Sequence, residues 1–155
     1  MEETGNRKQK ALGYRKSVDP LLKYIPWFES HKGEDAAVMY AGNEEKDKIF
    51  GFPVYDSTIM AFVKSASLGD LMDKNYPYIY TRNHIKSRED EKRLIRVADI
   101  DSFDILKGIL SKYVLEGMRK GTVWSVAVNE GIFLSILLKM KEILDFWDKH
   151  DSMLT

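Results

Sequence analysis

Cysteine is absent from this 155-residue chain. Its absence removes disulfides, thiolate metal sites and cysteine nucleophiles, and it fits a reducing cytoplasm. An excess of charge is absent as well, since 24 basic residues balance 24 acidic ones. No global field draws the chain to nucleic acid or an anionic surface, so any such partner must meet a local patch. Long apolar runs are also missing. The uncharged apolar stretch Gly131 to Leu138 is far shorter than the roughly 20 residues that span a bilayer, so no membrane partner is expected. Histidine is scarce: His31, His84 and His150 are scattered, and neither H-E-x-x-H nor E-x-x-H occurs. The G-x-S-x-G elbow, the Walker-type loop and the dinucleotide fingerprint are missing too. The sequence therefore assigns no catalytic residue, no metal and no cofactor.

What is present suits one globular domain, with 44% hydrophobic and 31% charged residues. The opening "MEETGNRKQKALGYRKS" has no apolar run behind its basic residues. Residues 1 to 16 are expected to be a flexible basic tail, 17 to 150 a single helical domain and 151 to 155 a second short tail. Asp19 and Pro20 suit an N-cap and first helical position before Leu21, Leu22, Ile25 and Phe28, with Pro26 bending or shortening that helix. The polar run from 31 to 48 reads as a long loop. An extended segment through Pro53 and Tyr55 then leads to Asp56 or Ser57 as cap of a helix carrying Ile59, Met60, Phe62 and Val63.

Residues 76 to 97 are ambiguous. Tyr76, Tyr78 and Tyr80 alternate as in a strand that "RLIRV" could join as a hairpin, whereas Pro77 and the pair Ser87 and Asp90 favour two short helices. The helical reading is preferred. Asp101 is the expected cap of a helix from Ser102 to Glu116 ended by Gly117, and Thr122 that of the longest helix, from Val123 to about Lys149. The expected fold is all-α: a compact single-domain bundle of about five to six helices around a central C-terminal helix.

Within that last helix Ala127, Gly131 and Ser135 recur every fourth residue. Glycine in a helix interior costs about 1 kcal/mol relative to alanine, so the row implies a groove into which another helix sinks. Beside it stand Asn129 and Glu130, and a carboxylate near a core must be paired, hydrogen-bonded or protonated. Two readings of Glu130 stay open: a rim or structural ion pair with a basic residue such as Arg119, or a binding group or general base lining a pocket. Glu130, Asn129, Arg119, Tyr55 and Trp124 are the candidate binding residues.

The C-terminal pattern G-x-x-x-x-A-x-x-x-G-I-F-x-x-x-L, followed by Gly121, Ala127, Gly131, Ile132, Phe133 and Leu137 or Leu138 with one residue more between Gly121 and Ala127, resembles the signature of a family of small bacterial proteins classed as a domain of unknown function. "FPVYDSTIMAFV" resembles that family's Pro-x-Tyr element and "LLKYIPWFE" its N-terminal helix. The resemblance covers most of residues 18 to 147 and implies an all-helical fold and a bacterial or phage source, with no assigned reaction. Relatives carry R-x-x-R-F-x-x-G before the glycine. Here Val114 and Gly117 stand where those arginines would be and Met118 in place of the phenylalanine.

Two further patterns bear on function. Asp70 with Asp73, and Glu142 with Asp145, have the spacing that sets two carboxylates on one helix face, as a magnesium-dependent hydrolase would need. Arg82, Lys86, Arg88, Lys92, Arg93 and Arg96 follow three tyrosines, a combination able to track phosphates and stack bases. The leading expectation is a non-catalytic protein-interaction or regulatory module with an unidentified protein partner. A nucleic-acid-associated protein is the alternative, and a small metal-dependent hydrolase the second alternative.

Overall fold

The computed structural model describes residues 2–33, 37–38, 54–55, 57–120 and 122–154. Among them are eight α-helices: α1 (Glu2–Leu22), α2 (Ile25–His31), α3 (Ser57–Leu68), α4 (Tyr76–Arg82), α5 (Arg88–Val97), α6 (Phe103–Gly117), α7 (Val123–Asn129) and α8 (Ile132–Leu154). A 3-10 turn, Ile100–Ser102, precedes α6, and two short strands, β1 (Ala37–Val38) and β2 (Val54–Tyr55), pair antiparallel. The fold is all-α, with more helices than the five to six expected. Most of the loop expected from 31 to 48 lies outside the described residues, as does Asp56.

The tail expected over residues 1 to 16 is instead the larger part of α1. Ala11, Tyr14, Val18 and Leu21 recur at spacings of three and four, and this stripe turns inward: Ala11, Val18 and Leu21 are buried, and Tyr14 stacks on Phe103 with ring centroids 4.0 Å apart. Arg15, on the adjoining face, joins α1 to α8 through Asp145 at 2.9 Å and through Asp148. The far end is likewise helical, since α8 runs to Leu154. The prolines exchange roles. Pro20 sits inside α1, which ends two residues later, and Pro26 occupies the first turn of α2, where no backbone donor is needed.

Residues 76 to 97 form two helices, as the caps suggest. Pro77 opens α4, and Ser87 accepts from the Asp90 amide at 3.2 Å while the Asp90 carboxylate accepts from the Lys86 amide at 2.9 Å. This is a capping box shifted by one residue. Asp99 takes the place expected of Asp101, its Oδ1 accepting from the amides of Asp101 and Ser102 at 3.0 and 3.1 Å.

The single helix expected from Val123 to Lys149 is two helices bent by 61°. Glu130 ends α7, Gly131 adopts φ +72°, and its carbonyl accepts the first bond of α8 from Ser135 at 2.9 Å. Glycine here supplies the left-handed conformation that terminates a helix, so Ala127, Gly131 and Ser135 do not share one helix face. Among the described residues, it is the end of α2 and the turn after it that meet Gly131. The Gly33 amide donates to the Asn129 carbonyl at 2.9 Å, and the Lys32 stem lies where a Gly131 Cβ would come within 2.9 Å.

The close helix crossing lies elsewhere. A Cβ on Gly108 of α6 would stand 2.9 Å from Ile79 of α4, and the Ser111 hydroxyl one turn on contacts the Lys107 and Leu71 carbonyls while accepting from the Asp73 amide. Gly108 lets α4 settle on α6, and Ser111 ties down the segment that leads into α4. At the centre Phe28 of α2, Phe62 of α3 and Phe133 of α8 meet, with centroids 4.8 to 5.7 Å apart. Each such pair adds about 0.5–1.5 kcal/mol beyond buried area. The last helix α8 packs against α1, α2, α5, α6 and α7. Among the described residues no single helix is long and apolar enough to cross a membrane; the bent α7 and α8 together have that composition, and their apolar side chains line the core.

Gly117 gives the sharpest test of this packing. A Cβ there would fall 2.0 Å from Trp124 Nε1, so alanine must displace a buried indole that donates to the Val114 carbonyl at 3.1 Å. The helix-propensity gain of about 1 kcal/mol is outweighed by overpacking and a lost buried hydrogen bond. Gly117→Ala should therefore lower stability by about 3 kcal/mol or more in urea unfolding, against about 1–2 kcal/mol for Gly131→Ala, where left-handed strain dominates. Equal, small effects would contradict the indole placement.

Candidate functional site

The stripe along α5 reads Glu91, Leu94, Ile95 and, just beyond it, Ala98. Helical spacing therefore turns a carboxylate toward the core, and Glu91 is only 2% exposed. An ionised carboxylate survives there only if its oxygens are covered by donors. The neighbouring helices supply them. Tyr80 of α4 donates to Oε2 at 2.6 Å, Tyr113 of α6 donates to Oε1, and Lys112 Nζ stands 3.2 Å from Oε2. Lys112 also lies over the Tyr80 and Tyr113 rings, at 4.9 and 5.1 Å from their centroids. Burial, followed by the hydrogen bond to Glu91, raises both phenols well above their ordinary value. The cluster opens into a pocket of about 180 Å3, where Lys86 and Arg88 join it.

The opposite flank of α5 joins two sets of residues that the sequence kept apart. Glu130, at the α7–α8 break, accepts from Lys92 Nζ at 3.0 Å and faces Arg88 at 4.0 Å. Lys92 first, then Arg88, hold its carboxyl below the ordinary range. The ion pair foreseen for Glu130 exists, with α5 rather than Arg119 as its source. Lys32, Lys92, Arg96 and Lys139 line a groove of about 380 Å3 there, with Glu130 and Glu142 among them. Arg93 turns back to Asp90 at 3.4 Å, and Arg82 is exposed in the last turn of α4.

The remaining candidates scatter. Arg119 is exposed in the turn after α6, and its charge acts on Tyr76. Asn129 serves through its backbone carbonyl. Trp124 is buried against Gly117 and belongs to the core, not to a contact surface. Tyr55 lies in β2 opposite Ala37, and its side chain is outside the described residues. The acidic pairs are also dispersed: Asp70 and Asp73 follow the end of α3 and share no helix, while Glu142 pairs with Lys139 and Asp145 with Lys141 and Arg15. Among the described residues no group of three or more histidines and carboxylates could hold a metal ion.

A third surface was not foreseen. Beside the 3-10 turn, Ala98, Ile100, Ile143, Phe146 and Trp147 line a groove of about 460 Å3, rimmed by Arg7, Asp99, Asp101 and Glu142. Phe146 is 48% exposed, and Val97, next to Ala98, is 67% exposed. The two aromatic rings meet edge to face at 5.4 Å. The aromatics of "LDFWDK" signal this surface, but only the fold brings the 3-10 turn beside them. Comparisons with family models, curated proteins and solved structures find no match to this chain.

The Glu91 cluster predicts a dependence on both sequence and pH. Glu91→Ala should cost about 3–5 kcal/mol, since Lys112 loses its counter-charge and two buried hydroxyls lose their acceptor. Tyr113→Phe should cost about 1.5–3 kcal/mol. Because both phenols are raised in the folded state, their contribution is complete below the unfolded phenol value near 10 and is lost as pH rises above it. Urea midpoints from about pH 8 to about pH 11 should fall on the alkaline side, and less steeply when both tyrosines are phenylalanine.

Proposed function

We propose that this protein is a non-catalytic protein-interaction or regulatory module whose groove beside the 3-10 turn holds an apolar, basic-flanked segment of a partner protein. The observation carrying this reading is the half-exposed Phe146 beside Trp147 over an apolar floor of about 460 Å3. Aromatic anchors within a polar rim are where interface energy concentrates. The rim supports a basic-flanked partner: Asp99, Asp101 and Glu142 outnumber Arg7 among the lining residues, and although Asp101 pairs with Arg7 and Glu142 with Lys139, lysine or arginine beside the apolar anchor is complementary to them. The chain's lack of cysteine supports a reducing cytoplasm as its setting, and the resemblance to small bacterial proteins supports a bacterial or phage source. No catalytic residue or cofactor enters the reading.

A random-sequence peptide library displayed on phage supplies the test. Selected peptides should converge on one or two bulky apolar residues flanked by basic ones. Phe146→Ser should weaken them by about thirtyfold, the ~2 kcal/mol of an anchor residue, with little change in melting temperature. No convergence, or equal binding to the variant, would refute the proposal.

Association with nucleic acid is the second reading. Lys32, Lys92, Arg96 and Lys139 around one groove favour it, while Glu130 and Glu142 offset part of their charge. Under it, gel shifts with single-stranded oligonucleotides should weaken steeply as salt rises and vanish in Lys32→Glu/Arg96→Glu.

A further inference from the structure

The pocket at the start of α5 differs in character from both grooves. Three cations converge on it: Lys86 before the helix, Arg88 in its first turn and Lys112 from α6. The sole negative charge among its lining residues is Glu91, whose two oxygens are already covered by the hydroxyl protons of Tyr80 and Tyr113 and by Lys112. Charge is therefore in excess. The Lys86 side chain has no partner among the described residues, and Arg88 reaches only to 4.0 Å from Glu130 and to the Tyr113 hydroxyl. At the mouth of this polar recess, Lys86 is thus held without a carboxylate partner among the described residues, and Arg88 meets only the one distant carboxylate of Glu130, which Lys92 already contacts at 3.0 Å.

Size narrows the ligand. At about 180 Å3 the recess has room for about six waters, enough for one tetrahedral oxyanion with part of its hydration. It falls below the ~300 Å3 at which pockets for drug-sized ligands begin. Guanidinium and ammonium groups together match a phosphate, the first through paired N–H donors and the second as a point charge. We propose that Lys86, Arg88 and Lys112 form a binding site for a single phosphate-class dianion, either free phosphate or a phosphate monoester. Glu91 acts as a positioning residue: with Tyr80 and Tyr113 it holds Lys112 at the wall.

Isothermal titration of the whole protein with inorganic phosphate at low ionic strength tests the site, with O-phosphoserine and a single-stranded oligonucleotide as further arms. Saturable phosphate binding is expected. Arg88→Met and Lys86→Met should each weaken it by about tenfold or more, the scale of one charge-assisted contact, without lowering the melting temperature. Arg96→Met, on the other flank, should leave it unchanged. Tighter binding of O-phosphoserine than of phosphate would identify a monoester as the ligand, and the reverse would identify free phosphate. Absent phosphate binding, binding that survives both substitutions, or binding of the oligonucleotide alone would each overturn the proposal.

Discussion

The carboxylate of Glu91 is the constraint around which one half of the molecule is arranged. Taking an ion out of water costs several kcal/mol even after relaxation, and the cost is offset only when its lone pairs meet donors in good geometry. Those donors come from two other helices, Tyr80 from α4 and Tyr113 with Lys112 from α6. A rotation of any of the three helices would strand a hydroxyl, the ammonium or the carboxylate. Apolar contacts such as Ile79 on Gly108 tolerate small slides, whereas this polar cluster fixes how the helices are turned about their axes. The other flank of α5 is tied to the α7–α8 break by Lys92 and Glu130, so one ten-residue helix connects the two sides.

Helical character was legible wherever caps and apolar spacing agree. Ser87 with Asp90 and the position of Pro77 decided residues 76 to 97 correctly, because both act within four residues of chain. Glycine was harder to read. Gly131 in an apolar run has two explanations, a close helix crossing or a left-handed helix end, and they differ in a backbone angle that composition does not encode. Gly117 has a third cause, an indole arriving from seven residues on. In α1 the signal is faint: Ala11, Tyr14, Val18 and Leu21 keep helical spacing, but isolated apolar residues among charges do not form a visible run.

The candidate sites show the same division. Basic residues from 82 to 96 stood out as a block, yet the fold divides them among a pair with Glu130, a turn back to Asp90 and the mouth of a small recess. In the sequence Glu91 is one acid in the charge run of Glu89, Asp90 and Glu91. Its position on the stripe of Leu94, Ile95 and Ala98 marked it as different, and that mark depends on knowing the helix. Trp124 shows the opposite error, because an aromatic beside polar residues looks exposed until its partner, Gly117, is known.

The contact between α1 and α8 also sets a timetable. Arg15 and Asp145 are 130 residues apart in the chain. At ~5–20 residues per second, translation makes the two ends of that contact roughly ten seconds apart. During that interval α1 can meet α3 and the 3-10 turn but not α8, against which it packs most extensively, so the surface that will cover its apolar stripe is incomplete. Docking of the first helix is thus tied to the arrival of the last, and interruption of synthesis before α8 would leave a nascent product with its first helix unclosed.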